Sequence, residues 1–144
     1  MKKFAHLAGV CLVLLFLSAG HAAAQPASEE SINVWSDAFS NSRQVDITVY
    51  TVPAGKQLII DNISMRADVP AGEQVTGANI NLPAPHIFVV SSQGTSDDRG
   101  YYAAGQATRI VVGPNQTIVF RVTRSHYGTG AYVFVSLAGR LVKN

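Results

Sequence analysis

An alternation of apolar and polar residues with a period of two, interrupted at short intervals by turn residues, limits what this chain can fold into more than any other feature. Val45, Ile47 and Val49 alternate with Asp46, Thr48 and Tyr50, and Ile118, Phe120 and Val122 alternate with Val119, Arg121 and Thr123. A period of two sends successive side chains to opposite faces of a strand. Between these segments lie short β-branched and aromatic runs: Leu58-Ile59-Ile60, Ile87-Phe88-Val89-Val90, Ile110-Val111-Val112 and Tyr132-Val133-Phe134-Val135. Such runs read as strands buried, or nearly buried, on both faces. Residues 28–39 are ambiguous, because Ile32, Trp35 and Phe39 fall at helical spacing while Ile32 and Val34 alternate. A first strand is the preferred reading there, and no other part of residues 25–144 carries a helical stripe.

The turns punctuate this pattern. Val52-Pro53-Ala54-Gly55-Lys56-Gln57-Leu58 recurs almost unchanged as Val69-Pro70-Ala71-Gly72-Glu73-Gln74-Val75. Proline presets φ at the start of a turn, and glycine can take the left-handed conformation, here predicted to close a type I turn with a bulge. The flanking strands do not align, so shared turn chemistry explains the repeat better than duplication. Gly113-Pro114-Asn115-Gln116 has a similar composition, Pro83-Ala84-Pro85 interrupts any strand, and Ser91 to Gly100 reads as a long polar loop. Strands are therefore predicted at 32–39, 44–52, 57–67, 74–82, 86–92, 99–104, 107–112, 116–124 and 130–143. About eight or nine such strands predict an all-β, antiparallel β-sandwich, jelly-roll-like or Greek-key, with a closed β-barrel as the alternative.

The chain opens on a different pattern. Lys2 and Lys3 precede an apolar stretch from Leu7 to Ala19, and Ala22-Ala23-Ala24 places small residues before Gln25. This is the layout of a cleavable signal peptide over 1–24. The apolar run is shorter than the roughly 20 residues a spanning helix needs. Cys11 lacks a lipobox, since Val10 stands where a small residue belongs. Residues 25–31 then read as a flexible polar leader and 32–144 as a single domain. Cleavage would remove Lys2 and Lys3, two of 11 basic residues set against nine acidic ones, and the only cysteine. The delivered domain would be close to neutral and free of disulfides. That excludes the basic footprint of a nucleic-acid binder and predicts no membrane span after cleavage. The expected location is exported, either periplasmic or extracellular, with a bacterial style of signal.

The segment Tyr50-Thr51-Val52-Pro53-Ala54-Gly55-Lys56-Gln57-Leu58-Ile59-Ile60 resembles an element of small exported bacterial β-sandwich proteins, in which a VPAGK-type turn leads into an early strand. The closing Val135-Ser136-Leu137-Ala138-Gly139-Arg140-Leu141-Val142 is similar to their last strand. The resemblance covers about a sixth of the delivered chain, implies an exported sandwich and carries over no activity.

Candidate chemistry is sparse. His86 and His126 stand in neither an HxH nor an HExxH spacing, so a zinc site would need distant partners. Asp97-Asp98-Arg99 could offer carboxylates to calcium from a loop, but lacks the alternating pattern of an EF-hand, and a solvated turn is the simpler reading. No serine sits in a G-x-S-x-G elbow. No cofactor or metal is predicted. Aromatic residues make the better case: Tyr101 and Tyr102 leave the polar loop, Tyr127 lies beside His126, and Trp35 lies near the start. Exposed rings can stack on sugars or anchor an interface, although tyrosines at strand ends commonly only pack. Adjacent Tyr101 and Tyr102 must face opposite sides of a strand. The expectation is a non-enzymatic binding module acting through Tyr101, Tyr102, Tyr127, Trp35 and His126, with carbohydrate or another envelope protein as partner. The alternatives are a structural, self-associating subunit and a hydrolase in which a histidine meets a carboxylate.

Overall fold

The computed structural model describes residues 29–143 apart from Tyr127 and Thr129. The predicted signal peptide and residues 25–28 of the predicted leader lie outside them. All regular structure among the described residues is strand: β1 (Glu30–Ser40), β2 (Gln44–Thr51), β3 (Lys56–Pro70), β4 (Val75–Asn81), β5 (His86–Phe88), β6 (Ser91–Ser96), β7 (Arg99–Val112), β8 (Thr117–Arg124) and β9 (Ala131–Lys143). None of them is a helix long and apolar enough to cross a membrane.

The strands form two antiparallel sheets, ordered β1-β9-β3-β7-β6 and β2-β8-β4-β5. Leaving β6 aside, β1 pairs with β9, β2 with β8, β3 with β7 and β4 with β5. That is the pairing of one long hairpin, with β4 and β5 at its tip. Rolling the hairpin up so that β9 also meets β3, and β8 also meets β4, closes the two sheets over each other. The result is an antiparallel β-sandwich with jelly-roll strand order, as the period-two pattern predicts.

The alternating residues fill the space between the sheets. Val45, Ile47 and Val49 of β2 and Ile118, Phe120 and Val122 of β8 are buried, facing Leu58, Ile60, Ile63 and Met65 of β3 and Val133, Val135 and Leu137 of β9. Phe88 and Phe120 meet at 5.3 Å between ring centroids. The two Pro-Ala-Gly turns sit at opposite ends of β3. In each, the amide after glycine donates to the proline carbonyl, Lys56 to Pro53 and Glu73 to Pro70. Gly55 and Gly72 have φ of 70° and 85° in the third position. These are type II turns with proline in the first position, where type I turns with a bulge are predicted.

Four expectations are corrected. The Ser91–Gly100 loop is a hairpin: β6 pairs with β7 across a two-residue turn at Asp97 and Asp98, both at positive φ. The exposed edge of β7 offers β6 a backbone ladder, and that pairing needs no apolar side chain. The predicted strands 99–104 and 107–112 are one strand, because β3 supplies pairing partners through Gly105 and Gln106. The apolar runs are not buried on both faces, since each sheet of a sandwich covers only one. Ile87, Val89, Val111, Tyr132 and Phe134 are exposed. The strand also starts inside the predicted leader, where Glu30 and Ser31 pair with Leu141 and Arg140.

Candidate functional site

The two outer faces of the sandwich differ in chemistry. Gln44, Asp46 and Thr48 of β2 stand in register with Thr123, Arg121 and Val119 of β8 on the outside of the four-stranded sheet. Arg121 grips Asp46 with two donors, Nε to Oδ1 at 2.8 Å and Nη2 to Oδ2 at 2.9 Å. This hydrogen bond is the largest cause holding the Asp46 carboxyl below the ordinary carboxylate range, with the charge of Arg121 and Gln44 adding to it against desolvation. The face is polar around this pair, and toward its β5 edge Ile87 is exposed.

The outside of the five-stranded sheet carries aromatic rings. In β9 the buried Ala131, Val133 and Val135 alternate with Tyr132, Phe134 and Ser136, which point out. Antiparallel register then sets three rows across β1, β9, β3 and β7. They read Trp35–Ser136–Ser64–Gly105, Asp37–Phe134–Arg66–Ala103 and Phe39–Tyr132–Asp68–Tyr101. Trp35 is 74% exposed, Phe39 56%, Tyr132 46% and Phe134 40%. Phe39 and Tyr132 lie 4.7 Å apart between centroids. Arg66 holds Asp68 through Nε–Oδ1 at 3.0 Å and Nη2–Oδ2 at 3.2 Å and lies 5.3 Å above the Tyr101 ring. Between Trp35 and Phe134 a shallow depression of about 260 Å³ opens, walled by Arg66, with Ser64 and Ser136 exchanging a 2.8 Å hydroxyl hydrogen bond.

No protein-family model matches the chain, and no curated protein matches it. Among solved structures it is similar to a chain of the cyanophage Pam1 capsid asymmetric unit, at 13% identity, over 86% of this chain and 98% of that one, with a TM-score of 0.43.

The candidate residues read from the sequence separate. Trp35 and Tyr101 lie on the aromatic face. Tyr102 turns inward, packs partly buried against the core and donates its hydroxyl to the Glu73 carbonyl at 3.1 Å. Tyr127 lies outside the described residues. His126 is exposed and its Nδ1 meets the Ser125 hydroxyl at 2.9 Å. His86 borders a separate open depression of about 410 Å³ with Leu82, Arg109 and Gln116. Among the described residues neither histidine meets a carboxylate, which the hydrolase expectation requires, and no group of three His, Cys, Asp or Glu could hold a metal ion. Asp97 and Asp98 form the β6–β7 turn, where the Asp98 carbonyl accepts from the Ala71 amide at 2.8 Å. Arg99 turns away from them, donating to the carbonyls of Asp68 at 2.5 Å and Gly130 at 3.1 Å.

Two features escape sequence reasoning. Tyr132 and Phe134 read as core because every residue of 131–135 is apolar, so alternation cannot say which set faces out, and Phe39 entered the sequence reading only through its spacing from Ile32 and Trp35. The usable signal is chemical: β-branched Val133 and Val135 share one register and aromatics the other. The second is the fully buried Arg124, whose Nη1 meets Glu73 Oε2 at 3.0 Å and whose Nε and Nη2 donate to the Ser42 carbonyl at 3.0 and 2.8 Å. This pair ties the β1–β2 connection, the second Pro-Ala-Gly turn and the end of β8 together below the aromatic face.

Proposed function

We propose that this protein is a non-catalytic structural subunit that works by protein–protein contact through the outer face of its five-stranded sheet. One observation carries the reading: four aromatic side chains stand exposed in register on one face, whereas the middle of the opposite face holds the Asp46–Arg121 pair among threonines. Exposing large rings to water is unfavourable, and a contiguous apolar patch rimmed by charge is the anatomy of a contact surface. Tryptophan, tyrosine and arginine, all present here, are the residues that most often dominate binding energy. The export signal expected over residues 1–24 puts this contact in the periplasm or outside the cell.

Sedimentation velocity over a concentration series tests the reading. Association is expected, weakened about tenfold or more by Trp35→Ala or Phe134→Ala and unchanged by Val119→Ala on the polar face. A protein that stays monomeric at high concentration contradicts it. Binding to a glycan array that Trp35→Ala abolishes in a monomeric protein replaces protein contact with carbohydrate recognition.

A further inference from the structure

We infer that the partner of this face is a second copy of the same chain, docked face to face about a two-fold axis that runs along β9. The inference rests on the reading of this face as a protein-contact surface and adds the identity and geometry of the partner.

The argument comes from the order of side chains across the rows. A two-fold axis lying in the contact plane along β9 exchanges left and right, so β1 of one copy sits opposite β3 of the other. In such an isologous contact, whatever residue i does to residue j, j does to i. Each row is therefore read against its own reverse. In the row Asp37–Phe134–Arg66, Asp37 of each copy falls opposite Arg66 of the other, with Phe134 meeting its own counterpart at the centre. Asp37 is exposed and makes no hydrogen bond or ion pair among the described residues. Arg66 spends two of its five N–H donors on Asp68, leaving others to donate to a second carboxylate. In the row Trp35–Ser136–Ser64, the most exposed ring of the face falls opposite Ser64, while Ser136 meets its own counterpart on the axis. It therefore enters the depression that Ser64 and Ser136 leave, a projection meeting a hollow on both sides of the axis. The charge pair and the shape pair match under the same operation, while the row Phe39–Tyr132–Asp68 stacks Tyr132 on its own counterpart and sets Phe39 opposite Asp68, which Arg66 already neutralises. The four rings expose on the order of 400 Å², and the charged rim extends this toward the roughly 800 Å² per partner of a standard interface.

Charge reversal with mixing tests the arrangement. Asp37→Lys alone sets lysine against arginine at both symmetric positions, and Arg66→Glu alone sets glutamate against aspartate. Each is expected to weaken self-association about tenfold or more. In an equimolar mixture, the introduced lysine faces the introduced glutamate while the native Asp37 faces the native Arg66. The mixture should regain association close to the unaltered protein. Circular dichroism and thermal midpoints confirm folding, and Arg66→Gln replaces Arg66→Glu if the latter fails to fold, with partial recovery expected on mixing with Asp37→Lys. If the protein associates through Trp35 but mixing restores nothing, the two-fold arrangement is overturned and the contact surface stands. Reversals that leave association unchanged overturn it equally. If the unaltered protein does not associate, the contact reading itself fails.

Discussion

Gly139 lies in β9 where β3 bulges between Ile60 and Asn62, and a Cβ built on it would collide with the backbone carbonyl of Ile59. Main chain cannot swing aside as a side chain can, so Gly139→Ala should cost about 3 kcal/mol in urea unfolding. Gly105→Ala is the control, since its Cβ would meet Ser64 at 3.6 Å, an ordinary contact, and removing a strand glycine should be neutral or slightly stabilising. The buried Arg124–Glu73 pair predicts a second asymmetry. Arg124→Met takes the guanidinium away from the Glu73 carboxylate and the Ser42 carbonyl and should cost about 3–5 kcal/mol. Adding Glu73→Leu should recover part of that loss in a double-mutant cycle. Asp46 makes a prediction in pH. Its carboxyl is held low in the fold, so the pair with Arg121 contributes above the unfolded value of about 3.9 and is lost as pH falls through the lower folded value. Asp46→Asn should therefore lower stability slightly at neutral pH and leave it unchanged below the folded value, flattening the acid limb by the same small amount, because both side chains are partly exposed.

At the scale of elements, the β6–β7 hairpin shows what turn chemistry adds. Asp97 and Asp98 both adopt left-handed backbone, φ 50° and 59°, the signature of a type I′ turn that asparagine and glycine fill better. Asp97→Asn with Asp98→Gly should stabilise the protein by about 0.5–1 kcal/mol, read as a raised thermal midpoint; a lowered one contradicts the turn assignment. The same hairpin marks where the sequence stops being informative. Strands such as β2 and β8 were legible because burial imposes alternation on them, and their buried sets are the alternating residues themselves. β6 (Ser-Ser-Gln-Gly-Thr-Ser) is exposed along its whole length, so nothing in its side chains records that it is a strand. The length of β7 was hidden for the same reason, since Gly105 and Gln106 imitate a turn while their backbone pairs with β3. The aromatic face was half legible: Trp35 and the adjacent Tyr101 and Tyr102 stood out among polar residues, whereas Tyr132 and Phe134 were lost among valines. Arg124 closes the predicted strand 116–124, and nothing local marks it as buried because its partner, Glu73, is 51 residues away in the chain.

For the whole molecule, jelly-roll closure places apolar alternation inside and leaves two outer faces free to differ. One is threonine-rich and clamped by Asp46 and Arg121; the other gathers Trp35, Phe39, Tyr132 and Phe134 around an Arg66–Asp68 pair. Neither face is needed to close the core, which is why the proposed function assigns the rings on the second face to a contact. Trp35 is the single tryptophan of the chain and 74% exposed, which makes its emission a direct report on that face. Measured over a concentration series with iodide quenching, the emission should shift to shorter wavelength, and the ring should become shielded, over the range in which sedimentation detects association. Emission and quenching that stay those of a water-exposed indole while the protein associates would contradict the claim that this face makes the contact.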